Sequence, residues 1–356
     1  MVQVMQTEIV MADYPDALDH YFPANLTEIW LDDNSTNVSA VLVNGTESET
    51  DIDLVVLRWM TIKAVMVPVV FALIFVAGCL GNGTLIHVFV RHKELRTTPN
   101  IYIVALSVGD LCVVLFCIPF VATIYTFQSW PYGLIMCKIG EFVTQASTGM
   151  SVFTLTALSV DRYVAITHPM RAHVGNNPRR LTYCVVAGIV VLALLCALPF
   201  LLFAEVVPKG HDGILVCHPY PEHFGPGYGQ GMVVYKALLY YAVPLTLITV
   251  FYISMARRLV QSAASMPGEA RARRQINSRK NVAKMVLGFV FFFAVCFLPN
   301  HVFFLWFYFD PNAEQVYNIF WDILRILGFT LSFTNSCVNP VVMYCVSSTF
   351  RKMFNR

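Results

Sequence analysis

Seven long apolar stretches, at about 64–90, 101–125, 135–166, 181–202, 232–254, 282–309 and 316–344, constrain this chain more than any other feature. A bilayer core about 30 Å thick takes about 20 residues of α-helix, and each stretch reaches that length. Each reads as continuously apolar, without the period-2 alternation of a barrel strand, so helices must satisfy the backbone within lipid. A mean hydropathy of +0.61 with only 13% charged residues excludes a soluble domain of this size. The expected fold class is all-α, a seven-transmembrane helix bundle.

Charge sets the expected orientation. The chain up to Leu57 carries eleven of the 22 acidic residues and no Lys or Arg. Alternate connections and the C-terminus hold 18 of the 24 basic residues, in runs such as Arg91 to Arg96 and Arg257 to Lys284. The positive-inside rule then places the N-terminus outside and the C-terminus in the cytoplasm of a multi-pass plasma-membrane protein. These basic loops need no nucleic-acid partner. Residues 1–60 read as an extracellular tail unable to form a core, 61–346 as the bundle, and 347–356 as a cytoplasmic end. Four sequons in the tail, at Asn25, Asn34, Asn37 and Asn44, fit glycosylation outside the cell. The further match at Asn82 lies inside the first span and is rejected.

Eight of the ten cysteines fall in apolar spans, where a thiol serves as a small apolar side chain. The other two, Cys137 at the start of the third span and Cys217 in the second outer loop, are expected to pair in an oxidising compartment. Asp110, midway along the second span, is a carboxylate in lipid and needs partners. Asn82, Ser151, Asn335, Ser336 and Asn339 are the candidates. With Ser151, Asn335 and Asn339 it could hold a sodium ion, or it could be protonated or simply hydrogen-bonded. No other cofactor is expected.

In the triplet Asp161-Arg162-Tyr163, Arg162 stands 25 residues after Cys137, far enough at about 1.5 Å per residue to cross a bilayer. Gly81-Asn82, Leu106 with Asp110, Trp130, Pro199, Pro244 with Tyr252, Cys296-Phe297-Leu298-Pro299 and Asn339-Pro340 follow in register. Together they resemble the rhodopsin-like G-protein-coupled receptors over residues 60–356. The resemblance implies that Asp161 restrains Arg162 until activation, and that Tyr163, Tyr252, Phe297, Pro299, Asn339, Pro340 and Tyr344 serve the conformational change. The sixth helix would swing outward about Pro299 to admit a heterotrimeric G protein. Arrestin and receptor kinases are implied as further partners.

Intramembrane chemistry narrows the ligand. An opsin needs a Schiff-base lysine in the seventh span, and none lies between Lys284 and Lys352. Amine receptors of the usual pattern carry an aspartate 18 residues before the Asp-Arg-Tyr arginine, where this chain has Thr144. Arg274 to Lys284, Pro299-Asn300-His301 and Phe333 to Pro340 resemble the bombesin and gastrin-releasing-peptide receptors, and within that group insect CCHamide receptors. The tyrosine after Asn339-Pro340 comes one residue late, at Tyr344, a feature shared with bombesin and endothelin receptors.

The resemblance implies an amidated neuropeptide ligand and coupling through a Gq-type protein to phospholipase C and calcium. Gln145, Glu205, Asn300, His301, Phe304, Arg325 and Phe329 are the expected ligand contacts. For each aromatic plain helix packing is the alternative, for His301 a satisfied core position, and for Arg325 an internal salt bridge with Glu141 or Asp322. Phe297 stands where the family has tryptophan, and Phe307 and Phe329 replace two basic rim residues of bombesin receptors. A different peptide class, such as an endothelin-like one, is an alternative ligand. A polytopic transporter is the rival function, but the chain shows no internal repeat and almost no intramembrane carboxylate besides Asp110. No nucleophile motif, metal-binding histidine pair or phosphate loop points to an enzyme. Beyond the seventh span, Ser347 to Thr349 can cap a short amphipathic eighth helix, with Phe350, Met353 and Phe354 toward lipid and Arg351, Lys352 and Arg356 toward anionic headgroups.

Overall fold

The computed structural model describes residues 47–127, 129–167, 178–209, 213–265, 270–346 and 348–354. The four sequons, Ser347 and Arg356 lie outside the described residues, as do the side chains of 261–286, Thr349 and Met353.

Seven spans and a terminal helix follow in order. The first helix is Glu47–Arg91, the second is split into Thr98–Phe116 and Ile118–Phe127, the third is Gly133–Thr167 and the fourth Pro178–Phe203. The fifth comprises Pro226–Ala237, a wide π-turn at Leu238–Ala242 and Val243–Ser265; the sixth is Ala270–Phe309, the seventh Ile319–Val346 and the eighth Ser348–Phe354.

Sequence chemistry explains the boundaries. The first helix begins at Glu47, within the segment expected to be tail. The second helix breaks at Cys117, two residues before Pro119, which has no N–H to donate. Asn318 starts the seventh helix, its Oδ1 accepting from the Phe320 amide at 3.0 Å.

By length and composition, six of the described helices are apolar enough to cross a membrane. The third is not among them, so the expectation of continuous apolarity fails there. Its position supplies the reason: it packs against the second, fourth, fifth and sixth spans, so its surroundings are protein more than lipid. Several of its hydroxyls return to the helix itself, as Thr144 does to the Gly140 carbonyl at 2.8 Å and Ser159 to Leu155 at 2.8 Å, while Ser147 donates to the Gly109 carbonyl of the second helix at 3.0 Å.

Close backbone approaches fix neighbouring spans. A methyl group at Gly328 would lie 2.6 Å from the Asn300 nitrogen, so the sixth and seventh helices touch there through backbone. Trp306 and Trp321 stack with ring centroids 3.5 Å apart across the same pair of helices.

An antiparallel hairpin that an all-α reading did not anticipate joins the fourth and fifth spans. Strand β1 (Glu205–Lys209) pairs with β2 (Ile214–His218) in the register Glu205 with His218 and Lys209 with Ile214. Gly213, at φ 63°, enters β2 in a conformation that favours glycine. The expected disulfide joins Cys137 to Cys217, tying β2 to the third helix. Trp130 adds a bond from its amide to the Leu215 carbonyl at 2.8 Å. The hairpin is thereby held over one end of the bundle, which we call the hairpin end.

Candidate functional site

A cavity of about 1210 Å³, its mouth included, opens beneath the hairpin and runs inward along the third helix. Of the expected ligand contacts, Gln145, Asn300, His301, Phe304 and Phe329 line it. The third helix supplies Gln145, the sixth turns Asn300, His301 and Phe304 inward beyond the Pro299 kink, and the seventh supplies Phe329. His301 packs on Tyr241 with ring centroids 4.8 Å apart, and Phe329 stands edge-on to Phe333 at 5.1 Å.

Glu205 and Arg325 sit elsewhere. Glu205 starts β1, with its carboxylate 3.6 Å from His223 Nδ1. Arg325 is buried against the first helix and pairs with Asp322. Asp322 is shared: it also accepts from Lys63 Nζ at 3.1 Å, Trp59 Nε1 at 2.8 Å and Tyr317 Oη at 3.1 Å. The salt-bridge alternative for Arg325 is thus present in the geometry, and it belongs to a four-donor cluster that sequence reasoning missed.

One more lining residue escaped the sequence reading. Lys236, from the fifth span, is buried within the cavity wall between the rings of Phe200 and Phe304. Tyr220, in the segment between β2 and the fifth span, is buried against Phe200 and Tyr308, and that burial pushes its phenol well above the ordinary value. The signal for Lys236 was available, because a lysine within an apolar span needs a reason as much as Asp110 does.

The inner end of the cavity reaches Asp110, Ser151, Asn335 and Ser336. Asn339 Nδ2 donates to Asp110 at 2.5 Å. Asn82, offered as a further partner, instead donates to the carbonyls of Gly78 at 3.0 Å and Ser336 at 2.8 Å. Among the described residues no group of three or more His, Cys, Asp or Glu could hold a metal. One carboxylate among hydroxyl and amide oxygens is a donor set suited to a small monovalent cation.

At the opposite end, Arg162 donates to the Asp161 carboxylate from Nε at 2.9 Å and from Nη2. Tyr163 packs on Phe251 at 5.4 Å, and Tyr252 faces Ser159 and Arg162 from the fifth span. Phe297 lies at the cavity floor against Phe293, centroids 4.6 Å apart, two residues before Pro299. On the seventh helix Pro340 meets Gly81, while Tyr344 packs against Phe354 of the eighth helix at 5.3 Å. Phe350 is buried, and Arg351 and Lys352 are exposed.

A cavity thus opens at one end of a seven-helix bundle and an Asp161–Arg162 pair lies at the other, and the sequence profile of the 7 transmembrane receptor (rhodopsin family) matches residues 81–343. The chain belongs to the rhodopsin family of receptors. Within that family it is similar to the neuropeptide CCHamide-1 receptor of Drosophila melanogaster, 50% identical over 298 residues that cover 82% of this chain and 60% of that protein. The chain therefore spans about 60% of the length of that relative.

Proposed function

We propose that this receptor binds an amidated neuropeptide of the CCHamide-1 kind at the hairpin end and signals through a heterotrimeric G protein of the Gq class, phospholipase C and calcium. The observation that carries the reading is the 50% identity to a CCHamide-1 receptor. A polar and aromatic cavity open at one end supports it, since Gln145, Asn300 and His301 offer partners for peptide amides, and Phe304 and Phe329 offer faces for a terminal side chain.

The hairpin end then faces the extracellular medium, with the acidic tail able to steer a basic peptide toward the mouth. Glu205, near the mouth, meets the peptide before it enters. Peptide pressing on Phe297 biases the sixth helix about Pro299, and Arg162 leaves Asp161 as a cleft opens for the G protein. Arrestin and receptor kinases recognise the same open state, and the eighth helix lies along anionic lipid. The oxygens of Asp110, Ser151, Asn335 and Asn339 hold a sodium ion in the resting receptor, where it supplies a counter-charge for the buried carboxylate.

Cells expressing the chain and a calcium indicator test the proposal against CCHamide-1, bombesin and endothelin. A calcium rise evoked by CCHamide-1 and blocked by a phospholipase C inhibitor is expected. Silence to CCHamide-1 in cells with verified surface receptor overturns the ligand assignment, and a response insensitive to the inhibitor overturns the Gq assignment.

A further inference from the structure

We infer that Lys236 is a specificity-determining residue, donating to a carbonyl or carboxylate oxygen on the end of the peptide that enters the cavity. The inference rests on the neuropeptide reading above and deepens it by naming the chemistry of one subsite.

Local structure brings this lysine inward. Lys236, Tyr240, Pro244 and Ile248 are spaced by four residues and all are buried. Twelve residues of regular α-helix overshoot three turns by roughly 120°, which would carry one end of this set off the inner face. The wide turn at Leu238–Ala242 takes up one extra residue and removes roughly 100° of that drift. The π-turn therefore keeps Lys236 on the face that Tyr240 and Ile248 share.

Its surroundings are apolar on the protein side and open on the other. Lys236 is 8% exposed, and it lines the cavity. Its Nζ stands 5.7 Å from the Phe200 ring centroid and 5.6 Å from that of Phe304. Among the described residues the partners that its ammonium meets are those two ring faces. Glu141, on the same cavity wall, acts on it only through its field. An ammonium at this depth is costly unless a partner satisfies it, and two ring faces replace only part of its lost hydration. Lys236 lines the cavity, so an acceptor bound there can meet the three N–H donors of its ammonium.

A ligand oxygen placed there completes the site. His301, Gln145 and Phe304 line the same cavity, and a compact planar group such as a terminal carboxamide or a side-chain carboxylate suits these polar and aromatic walls. A structural lysine would behave otherwise. It would stabilise the empty receptor, whereas a lysine awaiting a ligand burdens it.

The test uses the full chain, Lys236→Met and Lys236→Arg, with displacement of labelled CCHamide-1 on membranes and thermal unfolding of purified receptor. Loss of a charge-assisted hydrogen bond predicts affinity weakened about 10- to 100-fold in Lys236→Met and substantially retained in Lys236→Arg. Empty Lys236→Met is expected to melt no lower than the parent, and CCHamide-1 to raise its melting temperature less. Two peptide analogues locate the oxygen, one lacking the terminal carbonyl and one with any acidic side chain replaced by an alkyl side chain that carries no oxygen. The analogue missing the contacted oxygen binds parent and Lys236→Met alike. Equal affinity of Lys236→Met and parent for CCHamide-1 overturns the inference and leaves the neuropeptide reading standing. A fall in the melting temperature of empty Lys236→Met also overturns it, in favour of a structural role. Failure of the parent to bind CCHamide-1 removes both.

Discussion

Replacing Asp322 by Asn should destabilise the receptor more than any other change within its buried ionic cluster. Asp322 is 6% exposed and accepts from Trp59, Lys63, Tyr317 and Arg325. An asparagine keeps the shape, but it removes the charge shared by two buried cations and turns one acceptor into a donor that faces donors. Breaking a buried pair by removing one partner costs about 3–5 kcal/mol, because the remaining charge stays desolvated. At roughly 2 °C per kcal/mol for a large domain, the low end is a melting temperature lowered by about 6 °C.

Unfolding of purified receptor can be followed with a thiol-reactive dye, since Cys117 and Cys296 are buried until the bundle opens. Lys63→Met and Arg325→Met serve as controls. Each leaves the carboxylate one cationic partner, so each should cost less than Asp322→Asn. The reasoning fails if Asp322→Asn melts within about 2 °C of the parent, a change below 1 kcal/mol. It fails equally if Lys63→Met proves the more damaging substitution. The cluster matters because Trp59 and Lys63 belong to the part of the first helix that precedes the family match at residue 81. Asp322 holds that part to the seventh helix.

Three further outcomes follow from the geometry. Cys137→Ser or Cys217→Ser opens a link between residues 80 apart, about 4–5 kcal/mol in a chain-entropy treatment, and should abolish CCHamide-1 binding at the cell surface; normal binding by both variants refutes a role for the bridge in holding the hairpin. Gly328→Ala forces a methyl group to 2.6 Å from the Asn300 nitrogen, so the sixth and seventh helices must separate at about 1–3 kcal/mol, read as a lower melting temperature; an unchanged one shows that the helices shift freely. Asp110→Asn should remove any dependence of agonist affinity on sodium concentration, measured by displacement in sodium and in N-methylglucamine buffers; a response to sodium equal to that of the parent sinks the sodium site.

How much was legible in advance differed between local and paired features. Residues such as Asp161-Arg162-Tyr163, Pro299 and Asn339-Pro340 could be read because their spacing along a helix is a property of the chain itself. Gln145, Asn300, His301, Phe304 and Phe329 were placed in one cavity by resemblance, and the structure brings all five to its wall. Arg325 and Glu205 were placed with them and lie outside it. The position of Arg325 along the seventh helix was legible, but its direction was not, since that depends on which helix lies opposite. Lys236 was overlooked because its inward face depends on a π-turn that the pattern of apolar residues does not announce.

The sequence by itself determined that this chain lives in lipid as a helical bundle and to which family its motifs belong. Those conclusions rest on composition, periodicity and short-range spacing, all of which the bilayer and the helix impose residue by residue. Only the tertiary structure decided which polar groups meet. Lys63 and Asp322 are 259 positions apart, and Asn339 and Asp110 are 229 apart. Contacts at such separation are set by how whole helices pack, through near approaches like Gly328 on Asn300 and through the bridge that pins the hairpin over the cavity. Burial then gives those few charges their weight, because a group removed from water is stabilised by the partners that packing brings to it and by little else.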